Sequence, residues 1–248
     1  MNGRHAIADQ AWGDIQARIN MCSVCVAFRR PLGGSAILQH LSVPPARPRN
    51  PGTTGRLLLV AEAPPLLEDG TSAGGFWRDD TPDALRDNLL GLLVSGSEGL
   101  RRFLDDDLFL IHTIKWPIID EQGRATNYAG LHPINLRRDL LKHTVDEHLR
   151  PELELLKPGA ILAMGDAART ACSYFLGGAG LRRGTLASHR ERDCAIRFGG
   201  REVRLGVTWL PVDRNRDKRP LIHEDITRFL EKHAVPGGDG NAMGSLGA

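Results

Sequence analysis

Short apolar runs alternate along this chain with segments of helical periodicity, and this alternation limits its possible folds more than any other feature. The runs are Leu57–Ala61, Leu108–Ile111, Ala160–Met164 and Leu205–Leu210. A continuous apolar run of this length is typical of a strand that is covered on both faces. The pattern therefore predicts a three-layer α/β/α fold around a short, mainly four-stranded parallel sheet with right-handed crossovers.

Helical patterns fill the intervals between the runs, and a hairpin precedes the last one. Apolar residues recur at helical spacing in segments whose predicted bounds are about 7–20, 81–93, 136–149, 166–175 and 222–232. Thr81-Pro82 is predicted to begin the second helix, and Asp166 to cap the fourth. Gly199-Gly200 is predicted to form the turn between two antiparallel strands.

Length and composition favour one domain over two. The chain has 248 residues, of which 41% are hydrophobic and 25% charged, and we predict a single domain over residues 1–235. Residues 30–55 are rich in Pro and Gly and are predicted to form a surface arm, while residues 236–248 are predicted to be a disordered tail. We expect a monomer. The net charge of +2 does not identify a partner by itself.

No segment is predicted to target or cross a membrane. The apolar runs fall far short of the roughly 20 residues that span a bilayer. The first residues lack the apolar stretch of a signal peptide. We therefore expect a cytoplasmic protein with no membrane partner.

Chemistry-bearing residues follow the apolar runs. Glu62 and Ala63 come directly after the first run, and His112 and Lys115 come after the second. Gly165-Asp166 follow the third run, and a basic segment over residues 213–219 follows the fourth. Ligands of open α/β sheets bind beyond the carboxyl ends of the strands, so we expect these residues to line one site.

Structural roles remain open for these residues. Glu62 could cap a turn through its carboxylate, and His112 could be a hydrogen-bonded structural histidine. The 213–219 segment could be a solvated loop. Phe76 follows Gly74 and Gly75, and a Gly-rich loop is a poor place for core packing, which favours a ligand contact for Phe76.

The same segments resemble, in order and spacing, the motifs of the iron–sulfur uracil-DNA glycosylases. Val60–Pro65 resembles the family's Gly-Glu-Ala-Pro-Gly motif, and Gly75-Phe76 falls at its Pro-Phe-Val-Gly loop. Segment 112–117 resembles the family's Asn-Val-Val-Lys-Cys-Arg-Pro. Segment 132–136 resembles its Cys-x-Pro-x-Leu, and segment 157–168 resembles its Pro-x-x-Ile-x-x-Leu-Gly-x-x-Ala. The resemblance spans roughly residues 15–232. It implies a uracil-DNA glycosylase-like fold, DNA as the partner and base excision repair as the role.

The resemblance also implies roles for single residues. Phe76 would stack on the flipped base, and Glu62, with the Ala63 backbone, would position water or the base edge. His112 stands at the family's uracil-reading Asn and would donate to a base carbonyl, as a catalytic and base-binding residue. Asn215 would supply an amide, and Asp213 is an alternative activator of water. The predicted phosphate contacts are Lys115, Arg214, Arg216, Lys218 and Arg219.

The chain departs from the family at the metal cluster and at one catalytic motif. The third and fourth cluster cysteines map onto Trp116 and His132, so we expect no four-cysteine iron–sulfur cluster and no cofactor. Cys22, Cys25 and His132 are a conceivable remnant site, because a Cys-x-x-Cys pair in a reducing compartment is more often a metal or redox feature than a disulfide. The segment 212–215 replaces the family's His-Pro-Ser motif, which leaves the excised base open.

Two other functions fit the same sequence. A catalytically silent DNA-binding member of this fold would keep the basic segment without hydrolysing anything. An enzyme acting on small nucleosides or nucleotides could also use a doubly wound sheet, because a fold does not fix a function. The chain lacks a P-loop, a G-x-G-x-x-G after the first run and a G-x-S-x-G motif, which disfavours the last alternative.

Overall fold

A computed structural model of the chain describes residues 2–22, 57–64, 83–93, 108–118, 127–130, 134–190, 192 and 194–233. The predicted arm at 30–55 and tail at 236–248 lie outside the described residues. The extent of the single domain therefore stays a prediction.

Five strands of the described chain form one sheet. They are β1 (Leu57–Ala61), β2 (Leu108–His112), β3 (Ala160–Met164), β4 (Cys194–Phe198) and β5 (Arg201–Thr208), in the order β2-β1-β3-β5-β4. Four of them run parallel, and only β4 is antiparallel to its neighbour β5. The predicted α/β class and the parallel sheet are confirmed.

The last strand begins and ends earlier than its apolar run. The run 205–210 predicts a strand to Leu210, but β5 covers Arg201–Thr208. Its first half pairs with β4 through the predicted hairpin, where Gly199 and Gly200 adopt positive φ angles of 55° and 75°. Only one face of this hairpin is buried, so its residues alternate between buried and exposed and give no continuous apolar signal.

Helices fill both sides of the sheet. They are α1 (Asn2–Asn20), α2 (Ala84–Leu93), α3 (Ile134–Thr144), α4 (Arg150–Leu156), α5 (Asp166–Thr170), α6 (Leu186–His189) and α7 (Arg219–His233). A π-helical turn at Val145–Leu149 joins α3 to α4, and a second at Ala171–Phe175 continues α5. Short 3₁₀ turns lie at Tyr128–Gly130, Ala179–Leu181 and Asp213–Lys218. Each predicted helix overlaps a described one, but α1, the segment from α3 to α4 and α7 extend beyond the predicted bounds, and α6 was not predicted.

The caps of two helices differ from prediction. Gly165, at φ 91°, occupies the cap position of α5, whereas Asp166 is the first helical residue and pairs with Arg169 at 2.7 Å. Thr81-Pro82 lies outside the described residues. The Asp83 carboxylate accepts the N–H of Arg86 at 2.8 Å and so caps α2.

Alternate strand residues point into two separate apolar clusters. Leu58 and Val60 of β1 pack with Trp12 of α1 and with residues of α3, α4 and α5. Leu57 and Leu59 pack on the opposite face with residues of α2 and α7. The described elements therefore form a helical layer on each side of the sheet. No described helix combines the length and the apolar character needed to span a membrane.

Candidate functional site

The direction of the chain crossovers reverses between β1 and β3. From β1 the chain crosses to β2 on one side, and β3 then pairs with β1 on its other side. The two strand ends leave a crevice at such a point, where open α/β sheets bind their ligands. Glu62 directly follows β1 and Gly165 directly follows β3, so both lie at this crevice.

The Glu62 carboxylate is buried at this edge and held from two sides. Its Oε1 accepts the backbone N–H of Tyr128 at 2.7 Å, and its Oε2 lies 3.6 Å from Nη2 of Arg214. Burial raises the pKa of Glu62, while the Tyr128 N–H and Arg214 oppose that shift and Asp166 adds to it. The result is a desolvated carboxylate whose only charged partner, among the described residues, is a half-exposed guanidinium.

Gly165 leaves space beside this carboxylate. A Cβ at this position would lie 3.5 Å from Glu62 Oε2 and 3.6 Å from Leu210 Cβ, and the φ of 91° is one that other residues rarely adopt. The Gly165 N–H donates to the Thr208 carbonyl at 2.9 Å. The backbone therefore fixes the end of β3 close to Glu62 without placing a side chain there.

Two cations of the basic segment, Arg214 and Arg216, are at least partly exposed. Arg214 brings its guanidinium to Glu62, and Arg216 is exposed. Ala63, the predicted partner of Glu62 in base binding, follows it in the chain and is half-buried. The structure thus brings Glu62 and Arg214 together as the sequence predicts.

The other two cations are engaged with neighbouring side chains. Lys218 pairs with Asp217 at 2.5 Å, and Arg219 contacts the Asn88 amide of α2. Arg219 also lies 3.8 Å from Asp213, whose carboxylate is 80% exposed. Asp213 is therefore accessible to water but makes only a loose ion pair with the described residues.

Asn215 is used inside the loop. Its Nδ2 donates to the Leu210 carbonyl at 2.8 Å, and its own N–H donates to the Val212 carbonyl. The predicted role, an amide offered to a base, competes with this intraloop bond. The amide of Asn215 stabilises the 3₁₀ turn at Asp213–Lys218 instead.

His112 makes no hydrogen bond or ion pair with Glu62 among the described residues. As the last residue of β2, it continues the alternation of the strand on the face of Leu110. Its Nε2 is buried without a hydrogen-bond partner among the described residues, and burial lowers its pKa to about 3. The imidazole is therefore neutral at pH 7. The convergence of His112 with Glu62 around one base stays a prediction.

Lys115 is buried, which contradicts its predicted contact with a DNA phosphate. Its side chain is only 6% exposed, and its ammonium group pairs with Glu152 of α4 and donates to the His112 carbonyl. A cation held in this way does not reach a DNA backbone. Lys115 is a buried structural cation in the layer formed by α1, α3 and α4.

The family's cluster does not fit these residues. Trp116, at a family cysteine position, is 5% exposed, and its ring meets that of His148 edge-on at 5.5 Å between centroids. An indole offers no ligand for iron. The other implied positions, Cys25 and His132, lie outside the described residues, as does Phe76. Cys22 contacts His143, with Sγ 3.2 Å from Nε2.

One contributor to the crevice had no sequence signal of its own. Tyr128 supplies a backbone N–H, and any residue type could do so at that place. The only hint is Asn127, whose side-chain oxygen accepts the Gly130 N–H at 3.0 Å and fixes the 3₁₀ turn that presents Tyr128.

No protein-family model and no curated protein matches the chain. The resemblance to the uracil-DNA glycosylases therefore rests on the sequence motifs alone.

Proposed function

We propose that this protein binds DNA and hydrolyses the N-glycosidic bond of uracil or another deaminated base. The observation that supports it most is the position of Glu62. It is a buried carboxylate at the crevice between β1 and β3, with Arg214 of the basic segment 3.6 Å away. A carboxylate beside a basic segment suits a reaction in which water attacks a sugar carbon of a polyanion.

Glu62 is the proposed acceptor of the water proton. Water adds to the anomeric carbon, the bond to the base nitrogen breaks, and the base leaves with the bonding electron pair. Glu62 must be ionised to accept the proton. Arg214 and the Tyr128 N–H favour that form against the effect of burial. Asp213 is the alternative acceptor of the water proton, because its exposed carboxylate lies at the start of the basic segment.

Arg214 and Arg216 are the proposed phosphate contacts. Arg214 is 43% exposed beyond Glu62, and Arg216 is exposed on the same 3₁₀ turn. Contacts of this kind add affinity without sequence choice and weaken as salt rises. The stacking role of Phe76 stays a prediction from the resemblance.

The test measures abasic product directly. The full chain is incubated with single- and double-stranded oligonucleotides carrying uracil, hypoxanthine or xanthine. We expect base release from at least one, and we expect E62Q to lower the rate by about 10²–10⁴-fold, the usual contribution of a general base. The matched control is E202Q at the start of β5, where the carboxylate is 58% exposed at the opposite edge of the sheet. If E62Q cleaves as fast as wild type, Glu62 has no catalytic role.

DNA binding is tested separately from cleavage. R216A is expected to reduce the salt dependence of DNA affinity by about one phosphate contact. R197A, which removes an exposed arginine from β4, is the control and is expected to leave it unchanged. Equal effects of both variants would place the DNA elsewhere.

A catalytically silent DNA-binding protein is the second candidate. It is favoured by two observations: His112 makes no hydrogen bond or ion pair with Glu62 among the described residues, and the Asn215 amide is bonded to the Leu210 carbonyl. The amide of Asn215, one of the two predicted base readers, is then engaged within its own loop. DNA binding without abasic product from any of the oligonucleotides would select this candidate.

A further inference from the structure

Three metal-ligating side chains meet outside the crevice. One ligand atom from each of Cys22, His143 and His148 lies within 4.8 Å of the others. Cys22 Sγ and His143 Nε2 are 3.2 Å apart. Sulfur and nitrogen ligands of a tetrahedral Zn²⁺ stand about 3.3–3.6 Å apart, given the usual metal–ligand bond lengths. The Cys22–His143 distance is close to this value, and the other separations, which reach up to 4.8 Å, would shorten by up to about 1.5 Å around one ion.

The π-helical turn is what brings the two histidines to one side. In a regular α-helix, residues five apart point about 140° away from each other. The turn at Val145–Leu149 has i→i+5 geometry, with the Arg150 N–H donating to the Val145 carbonyl. It rotates His148 back over His143, with ring centroids 5.5 Å apart. Such single π turns are frequent at functional sites.

Cys22 comes from a different part of the chain. It follows α1, where its N–H donates to the Ile19 carbonyl at 3.3 Å. Ile19, Ile15 and Trp12 pack into the apolar cluster beneath, so α1 is fixed against the helical layer. The thiol is thereby held beside histidines that lie 121 or more residues further along the chain.

We propose that Cys22, His143 and His148 form a metal site that binds Zn²⁺. A mixed set of thiolate and imidazole ligands suits Zn²⁺ better than Mg²⁺ or Ca²⁺, which take oxygen ligands. On binding, the thiol proton of Cys22 passes to solvent and both imidazoles ligate in the neutral form. Burial lowers the pKa of His148 to about 4, so this imidazole is already neutral at pH 7.

This set differs from the cluster that the family resemblance implies. Two of its three ligands are imidazoles from one helix, and neither stands at a family cysteine position. Cys22 and His143 are within hydrogen-bond distance, and the His148 ring contacts those of His143 and Trp116 edge-on. The proposal does not depend on the proposed glycosylase activity.

The test uses the full chain and the metal alone. Protein purified without chelator is analysed for zinc, and we expect about one ion per chain. After chelation, Co²⁺ is added, and we expect a near-ultraviolet thiolate-to-cobalt absorption band with the visible bands of a tetrahedral ion. C22S removes the near-ultraviolet band. H143Q raises the Co²⁺ dissociation constant at least about tenfold, because even outer partners of ligands contribute that much.

Two control variants change a cysteine and a histidine that lie outside the proposed metal site. C194S changes a half-buried cysteine on β4, and H223Q changes an exposed histidine on α7. Both are expected to bind Co²⁺ like the wild type. If C22S does not fold, the H143Q measurement carries the test. Zinc-free protein together with no cobalt band in the wild type, or a band that survives in both C22S and H143Q, overturns the proposal.

Discussion

Glu62 and Glu152 are both buried carboxylates with a cationic partner, but their partners differ. Glu152 is 4% exposed and pairs with Lys115, which is itself only 6% exposed. Glu62 is 7% exposed, but its partner Arg214 is 43% exposed and 3.6 Å away. Burial raises the pKa of both carboxyls.

The difference separates a structural ion pair from a candidate catalytic group. The Lys115–Glu152 pair is closed, since Gln16 also donates to Glu152 at 3.3 Å and the lysine ammonium reaches the His112 carbonyl. The Glu62 carboxylate has open backbone beside it at Gly165 and a partner that can move into solvent. A buried charge with a replaceable partner is what a proton-accepting site requires.

The largest expected effect comes from breaking the closed pair. K115M leaves the Glu152 charge buried without a cation, and we expect a loss of about 3–5 kcal/mol in the free energy of unfolding. Urea denaturation measures it. Adding E152Q to K115M is expected to recover much of the loss, because no buried charge remains.

A surface pair gives the matched control. Lys142 and Asp146 are 2.9 Å apart at i,i+4 spacing, with side chains 63% and 36% exposed. K142M is expected to cost under about 0.5 kcal/mol. Similar losses for K142M and K115M would mean that the Glu152 pair is not closed.

The next largest effect on stability is expected at Gly165, the residue beside the Glu62 carboxylate. G165A forces alanine into a φ of 91°, and we expect a loss of about 1–3 kcal/mol from backbone strain. The added Cβ itself meets Glu62 at ordinary contact distance, so steric overlap contributes little. G91A is the control, because Gly91 is helical with nothing within 4 Å of its Cβ position. That change is expected to stabilise the protein by about 0.5–1 kcal/mol. A G165A protein as stable as wild type would exclude the strained cap.

The sheet was predictable because its strands are buried on both faces. A continuous run such as Ala160–Met164 carries that burial in the sequence itself, and Gly199-Gly200 carries the hairpin turn. The cap of α5 was not predictable, because Asp166 is as good a capping residue as the Gly165 that takes the place. The π turns leave no sign in the apolar spacing.

The candidate site was predictable in part. The strand-end rule identified Glu62 and Arg214, whose contact is found. It misassigned Lys115, because the burial of that lysine depends on Glu152, 37 residues away on another element. It also predicted that His112 converges with Glu62, and no hydrogen bond or ion pair joins the two among the described residues. Local sequence indicates which end of the sheet a residue reaches, but not which distant side chains pair with it.

A smaller effect, the pH dependence of the free energy of unfolding, tests whether Glu62 is desolvated. Its pKa in the fold is raised above the ordinary 4.5. The folded protein therefore holds this proton to higher pH than the unfolded chain. As pH rises from 4.5 through the raised pKa, wild type should lose stability relative to E62Q, at no more than about 1.4 kcal/mol per pH unit. Above that window the difference is constant. Unfolding free energies of both proteins across the pH range measure it, and a difference that grows in the opposite direction would contradict the burial.

The smallest expected effect is a shift of the Glu62 pKa in R214Q, which tests whether Arg214 acts on this carboxylate. The positive charge of Arg214 lowers the pKa of Glu62, so R214Q is expected to move that pKa further upward. The half-exposed pair itself contributes under about 1 kcal/mol to stability, so the variant should fold normally. Carbon NMR of labelled glutamate side chains follows the titration, with E62Q identifying the signal. R216Q, an exposed neighbour on the same turn, is the control and should leave the midpoint in place. An unshifted midpoint in R214Q would mean that the guanidinium is too solvated to act on the carboxylate, and Glu62 would then titrate under the control of burial, the Tyr128 N–H and Asp166.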